Sequence, residues 1–515
     1  MLRRIPSLAL FLLAGLSCSA SVFGTDFYVD VVNGNDANSG ATAATAWRTI
    51  THASVSATIG SATTIHIAPG NYSVATGEAF PLVFEGQALV GDAGSLATVI
   101  DGGGSGTLLQ MTFIPSGSPT YASLVRGLTF TNASTAINIY WAWNSLTTSL
   151  DDVAISNMSA QGLWANGGGT FSGSGATVHL SLDRARFVNC ATGLYLSATS
   201  STSTITARDS SFEAGGGDGV VLASGAQIQA SFDRCRFVRN AGRGVYANPI
   251  NLGRTDAVFA DCLLAHNSIG YSALTSPSSS SAAHVALTRC TVADNANIGI
   301  QSVLGGGPGA VTTDLDGDIV HGNGTNTVVT TLTTNVFNAI GGADPQFVDR
   351  ANDDYRLRFI SPCIDAGNPA TPVGTLDLAR VARSIDGNLD TSERADIGCH
   401  EFQPLGLVTS GHLASPLRLE FWGPAGSSAV VYFSRVAPVA PASTPFGQFD
   451  LNPGVFGTLI PSINVAPNAP VTFQRPIPNN PVLVGRTFSF QARTNSALAP
   501  QGSAYTNVVW VTVVP

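Results

Sequence analysis

Asp314-x-Asp316-x-Asp318 puts a carboxylate at every second position, the spacing that gathers acids on one face of a strand. With Leu315, Gly317 and Ile319 turned inward, the three would make the kind of oxygen cluster that calcium takes. Calcium neutralising a uronate carboxylate, with an arginine as base, would serve a lyase. The competing reading is a plain solvated acidic face. Asn33, Asn35, Asp36 and Asn38 pose the same choice, and there we read a network of Asx turns. Asp151-Asp152 is an adjacent acidic pair, but neighbours on a strand point to opposite faces, so it is no dyad by itself. All 24 basic residues are arginine, which excludes Schiff-base chemistry and lysine as a proton acceptor. No C-x-x-C pair occurs and the eight histidines lack metal-ligand spacing, which argues against zinc. No cofactor is required by these patterns, and calcium is the one cation they would suit.

The elements that must position such residues begin after a leader. Met1-Leu2-Arg3-Arg4, the apolar run from Ile5 to Leu16 and the small residues up to Gly24 read as a secretory signal over 1–24, too short for a bilayer anchor. The expected location is therefore secreted or at the cell surface. A net charge of −9 with no basic cluster argues against nucleic acid and anionic membrane as partners.

Between Leu124 and Asn323 one phrase recurs: an apolar strand, Asn or a small residue, Gly, then a second apolar strand. Its copies start at Gly127, Asp152, Ala185, Ser210, Cys235, Cys262, Cys290 and Asp318, at spacings of 25, 33, 25, 25, 27, 28 and 28 residues. Three short strands and tight corners use up such a period, so eight coils form a right-handed parallel β-helix roughly 40 Å long. Ile137, Leu163, Leu194, Val220, Val245 and Ile300 align as an inward column, with Tyr271 out of pattern. The corner reads Asn132, Asn157, Cys190, Gly215, Asn240, Asn267, Asn295 and Asn323, a stack that would satisfy buried backbone groups. Residues one position after the inward column must point outward. These are Asn138, Trp164, Tyr195, Val221, Tyr246, Ser272 and Gln301, with Tyr140 on the same face as Asn138. Trp164, Tyr195 and Tyr246 thereby form an aromatic stripe on which a glycan running along the axis could stack, with Asn138 or Gln301 bonding it. The competing reading has the loops after Tyr140 or Trp164 folded over these rings. Aligning Phe187, Phe212 and Phe237 stacks Asp183, Arg208 and Asp233, and beside them Arg184, Asp209 and Arg234, so signs alternate and fix the register.

A solenoid end needs a cap. Trp47, Ile50, Ala53 and Ala57 have helical spacing, consistent with a lid over Thr45 to Ile59 within an N-terminal cap at 25–60; Thr64 to Ala68 then begins the first coil. Here a resemblance emerges. Phe27-Tyr28-Val29-Asp30, Gly34-Asn35-Asp36, Trp47-Arg48-Thr49-Ile50, Ile65-His66-Ile67-Ala68-Pro69-Gly70 and Gly77-Glu78-Ala79-Phe80-Pro81-Leu82 resemble a bacterial domain of unknown function that opens pectate-lyase-like β-helix proteins. Asp344-Pro345-Gln346-Phe347, Ser361-Pro362-Cys363-Ile364-Asp365 and Asp396-Ile397-Gly398-Cys399-His400-Glu401-Phe402 resemble the segment that closes bacterial surface β-helices. The resemblance implies the fold (25–404, closing segment 341–404) and export, and no activity. Within that closing phrase, in an oxidising compartment, Cys363 and Cys399 are expected to form a disulfide worth about 3 to 4 kcal/mol, while Cys235, Cys262 and Cys290 stack as buried apolar groups. From Leu405, Pro-rich turns separate Leu417–Trp422, Ala429–Phe433, Val471–Gln474, Thr487–Gln491 and Val508–Val514, strands of a small antiparallel β-sandwich over 405–515.

Pectinase-type hydrolases carry a Gly-His-Gly motif, whereas Gly411-His412 continues here with Leu413. Two functions remain on the sequence. One is a monomeric exported scaffold that binds extracellular polysaccharide or the cell envelope without catalysis. The other is a polysaccharide lyase or hydrolase with an unusual site, which rests on fold analogy.

Overall fold

The computed structural model describes residues 25–57, 63–113, 121–141, 146–167, 177–199, 201–275, 280–305, 308–372, 374–409, 411–435, 442–452, 455–465 and 469–515. The leader at 1–24 lies outside them.

Three parallel sheets wind into a right-handed β-helix. The longest has twelve strands among the described residues, from Thr25–Val29 to Leu332–Val336, giving a rod of roughly 50 Å. It exceeds the eight repeated coils because flanking strands such as Thr63–Ile67 and Ala88–Gly91 join the ladder without the repeated phrase. Its inward column is apolar through the repeated coils: Val125, Leu150, Leu182, Ala207, Phe232, Phe259, Leu287 and Leu315 are all buried. The N-terminal lid is shorter than its spacing suggested. The helix is Ile50–Ser56, capped by the Thr49 side chain, which accepts from the His52 amide, yet Trp47, Ile50, Ala53 and Ala57 are buried as expected.

The second sheet is built of short pieces such as Ser211–Glu213, Arg236–Val238, Leu263–Ala265 and Thr291–Ala293, each between two left-handed corner residues. The corner that follows these strands corrects the expected asparagine stack by one residue. Backbone pairing aligns Met158 with Ala133 and with Cys190, so Asn132 and Asn157 are equivalent to Asn189 instead. All three are left-handed (φ 57°, 58° and 53°) and point outward in a ladder of their own. Asn189 donates to the Asn157 carbonyl at 2.8 Å across a coil of 32 residues, one fewer than the sequence spacing gave. Inside, the true ladder runs Asn240, Asn267, Asn295, Asn323: each Nδ2 donates to the next Oδ1, at 2.9, 3.1 and 2.8 Å.

The third sheet carries the inward column Ile137, Leu163, Leu194, Val220, Val245, Tyr271 and Ile300 in register, all buried. Tyr271, the outlier, packs edge-on against Phe259. The Phe187, Phe212 and Phe237 rings stack at 4.8 and 5.2 Å.

The closing segment does more than end the rod. It folds back along the second sheet, where Phe347, Tyr355, Leu357, Ile364 and Ile397 cover Val238, Leu263, Ala265, Ala293 and Ile319. Outward apolar residues on that sheet are thereby explained. Beyond it, Leu405–Leu407, Pro416–Phe421 and Val471–Pro476 form one antiparallel sheet, and Phe456–Asn464, Ser428–Ser434, Thr487–Asn495 and Ser503–Thr512 another, packed about Leu405, Leu419, Phe421, Val431, Ala492 and Val511. Phe456–Asn464 escaped sequence reading because Gly457 and Pro461 look like breakers. It is an edge strand with register shifts, where proline is tolerated.

Candidate functional site

The outward neighbours of the third sheet's inward column form one row. Gln110, Asn138, Trp164, Tyr195, Val221, Tyr246, Ser272 and Gln301 are successive backbone partners. Trp164 and Tyr140 are each 39% exposed, while Asn138 and Tyr195 are half-buried. Tyr140 pairs with Asn166 on the next coil, two positions beyond Trp164. Past Tyr195 the row changes character. Val221 (8% exposed) and Ser272 (1%) are sunk between larger neighbours, and the Ser272 hydroxyl donates to Gln301 at 2.9 Å. The Arg243 guanidinium stacks on Tyr246 at 3.5 Å and occupies one ring face. The open aromatic surface is thus Tyr140, Trp164 and Tyr195, with Arg243 and Tyr246 as a cationic edge. The loops at 142–145 and 168–176, expected to compete for these rings, lie outside the described residues.

The three aspartates are not brought together. Gly317 adopts φ +74° and turns the chain, so Asp318 faces inward, fully buried, accepting from the amides of Cys290 (2.6 Å) and Asp316 (3.0 Å). Desolvation pushes its carboxyl well up from the usual range. Asp314 stays outside with His284 Nε2 at 2.8 Å; against desolvation, bonds from Thr333 and His284 hold it down at about 2. Asp316 accepts from Asn368. Among the described residues no cluster of three His, Cys, Asp or Glu could hold a metal. Near the N-terminus, Asn35 makes the expected Asx turn, accepting from the Ala37 amide, whereas Asp36 accepts from the distant Arg48 and Thr49 amides and Asn33 and Asn38 donate, so the set is structural but not a run of Asx turns.

The acidic pair is also engaged. Asp151 accepts from Arg126 at 2.9 Å and from Arg184, and Asp152 takes the Ser95 hydroxyl at 2.8 Å. The charge ladder is longer than expected. Asp152, Arg184, Asp209, Arg234, Asp261 and Arg289 occupy successive left-handed corners with alternating sign. Arg234 binds Asp209 and Arg289 binds Asp261, both at 2.8 Å. Left-handed arginine is disfavoured by about 1 to 2 kcal/mol, which the paired charges help offset.

The top of this ladder anchors the closing segment. Arg383, fully buried, reaches Asp261 Oδ1 with Nε at 3.0 Å and Nη2 at 2.6 Å, and its Nη1 lies 3.5 Å from Glu401. Asp396 accepts from the Asp365 and Phe402 amides, and Asp365 from Asn388. Cys363 and Cys399, expected to be bridged, are free buried thiols. Their chains meet where Ile397 donates to the Cys363 carbonyl, but Cys399 lies two residues further on, held by Thr291 at 3.1 Å beside Cys290. Desolvation pushes Cys363 up to about 11 and Cys399 up to about 12. Cys235, Cys262 and Cys290 stack in the coils as expected, the Cys235 amide meeting Cys262 Sγ at 3.4 Å.

Burial, then the Asp396 charge, raises Asp365 to about 8. A folded carboxyl raised above its unfolded value binds more protons when folded. The stabilisation it brings is present below the unfolded value near 3.8 and is lost as pH rises through about 8. Hydrogen exchange across 361–402 should therefore quicken between about pH 4 and pH 8 beyond the intrinsic base-catalysed trend, and Asp365→Asn should reduce that excess, with the also-raised Asp386 and Asp396 carrying the remainder. An excess equal in the variant would exclude Asp365 as its source.

Sequence reasoning missed a cleft of about 850 Å3 where the closing segment meets the C-terminal sheets, bounded by Arg380, Asp386, Glu393, Asp450, Tyr505 and Trp510. These residues come from three distant stretches of chain, and no local motif links them.

With this geometry established, the molecule is an all-β right-handed parallel β-helix with antiparallel C-terminal sheets. Residues 32–179 match the family described as "Protein of unknown function (DUF1565)", and residues 135–337 match "Right handed beta helix region". The chain thus carries a domain of the unknown-function type that opens β-helix proteins. No curated protein sequence matches it. Similar solved structures include the GH136 lacto-N-biosidase of Eubacterium ramulus (11% identity, 62% of this chain and 68% of that one, TM-score 0.30). Others are the A-module of the mannuronan C-5 epimerase AlgE6 of Azotobacter vinelandii (13%, 55% and 91%, 0.27) and tailspike protein 2 of an Escherichia coli O157:H7 bacteriophage (12%, 85% and 59%, 0.30). Among the described residues no helix is long and apolar enough to cross a membrane.

Proposed function

We propose that the chain is an exported β-helix scaffold that binds polysaccharide, of the extracellular medium or the cell envelope, along the row on its third sheet without transforming it. The observation that carries this reading is the register: Asn138, Trp164 and Tyr195 are direct partners on consecutive coils, with Tyr140 exposed beside them. Coils rise about 4.8 Å, close to the length of one sugar ring, so a glycan along the axis meets one side chain per residue. Ring faces offer polarisable apolar surface to sugar C–H groups, and Asn138 and Gln301 supply amides at either side. The acidic pair Asp151 and Asp152 is tied to arginine and Ser95 at the corner between the first and second sheets and does not belong to the row.

Replacing Trp164, Tyr195 and Tyr246 together by alanine should abolish retardation in affinity electrophoresis on the polysaccharide that retards the wild type, with the thermal transition kept. Equal retardation of the folded variant would remove the row as the binding surface. Release of unsaturated or reducing ends by the wild type would replace retention with lyase or hydrolase action.

A further inference from the structure

The cleft between the closing segment and the C-terminal sheets has walls that are built and fixed. On one side, Asp386 accepts the amides of Asp390 (2.9 Å) and Thr391 (2.7 Å), and Leu389 is buried against Ala499 and Ala504 of the C-terminal sheets. On the other, Gln491, with no exposed surface, donates to the carbonyls of Gln448 (2.9 Å) and Thr506 (2.8 Å) and accepts from the Asp450 amide (2.9 Å). The C-terminal wall is tied together by Asn507, which accepts from the Leu405 amide at 2.9 Å and donates to its carbonyl at 2.8 Å. Between these walls, Trp510 is 43% exposed and lines the opening. Glu393 makes no hydrogen bond or ion pair with any described residue. Desolvation raises Glu393, with Asp450 adding to it, and desolvation raises Asp450 itself, as for carboxylates gathered without a counter-cation. Among the described residues lining the cleft the one cation is Arg380, 3.6 Å from Asp209 of the coils.

We propose that this cleft is a second saccharide site, one that takes a neutral oligosaccharide with Trp510 as the stacking face and Asp386, Glu393 and Asp450 as acceptors for sugar hydroxyls. An aromatic face beside carboxylates that carry no ion pair but keep spare acceptor lone pairs matches the two surfaces of a pyranose: C–H groups on one side, vicinal O–H donors around the edge. Uronates and sulfated glycans are disfavoured by charge, because three acids and one engaged arginine are the charged residues among the described lining. A volume of about 850 Å3 sits within the range of roughly 300 to 1,000 Å3 of ligand-binding clefts. The site is separate from the row on the third sheet and stands without it.

The test uses the full chain and four probes, the hexaoses of cellulose, xylan, starch and β-galactan, followed by saturation-transfer NMR and isothermal titration. At least one should bind. Trp510→Ala should weaken it about tenfold, the value of one aromatic contact, and Glu393→Gln several-fold. Both residues are exposed, so the variants should keep the wild-type thermal transition. The Trp164, Tyr195 and Tyr246 triple variant should bind the same hexaose unchanged. If none of the four binds at millimolar concentration, or if affinity survives both cleft substitutions, the proposal is overturned. Loss in the triple variant alone would assign the binding to the row and also overturn it.

Discussion

Arg383→Ala should loosen the closing segment by about 3 kcal/mol. Removing one member of a buried ion pair typically costs about 3 to 5 kcal/mol, because the partner is left desolvated and unpaired. The lower end applies here, since Arg289 still holds Asp261 at 2.8 Å while Glu401 loses its cation. Native-state hydrogen exchange across 361–402 should accelerate roughly 100-fold, at about tenfold per 1.4 kcal/mol, with the central coils little changed. Exchange within threefold of wild type would show that apolar cover on Val238, Leu263 and Ala293 holds the segment unaided. Arg383→Met, which fills the space but pairs nothing, separates charge from packing.

Asn267→Ala should be nearly as damaging, at about 2 to 4 kcal/mol. Asn267 accepts from both the amide (3.0 Å) and the side chain (2.9 Å) of Asn240 and donates to the Phe237 carbonyl (2.8 Å) and to Asn295. Alanine strands several of these groups where no water reaches, at about 1 to 3 kcal/mol each. Asn157→Ala should cost only about 1 kcal/mol, for left-handed backbone at an exposed corner. The contrast is read from hydrogen exchange in the coils around each site. Equal effects would contradict the division into inner and outer ladders.

That division shows what could be read from the residues and what could not. Leu163, Leu194, Val220 and Val245 recur after Gly at fixed distance, so the inward column and the row beside it were legible from composition and spacing. The asparagine corner misled because an outward left-handed Asn and an inward bonded Asn stand side by side in the phrase. With Met158 and Ala133 inside, the early coils offered no polar residue to mark the inner position. Asp314, Asp316 and Asp318 failed as a set because strand alternation was extended across Gly317, where the chain turns. The anchoring of the closing segment was not legible at all. Arg383 and Asp261 are 122 residues apart, and only the backward fold over the second sheet brings them together. The cleft beside Trp510 depends on the same docking.

The central claim, retention of a glycan along the row, is tested most directly by hydroxyl-radical footprinting of the wild type with and without the retarding polysaccharide. Protection should appear together at Tyr140, Trp164 and Tyr195, and it should require a fragment long enough to span two coils, with a disaccharide giving protection at one ring at most. Unchanged oxidation of all three rings at saturating polysaccharide, or protection confined to Trp510, would contradict it.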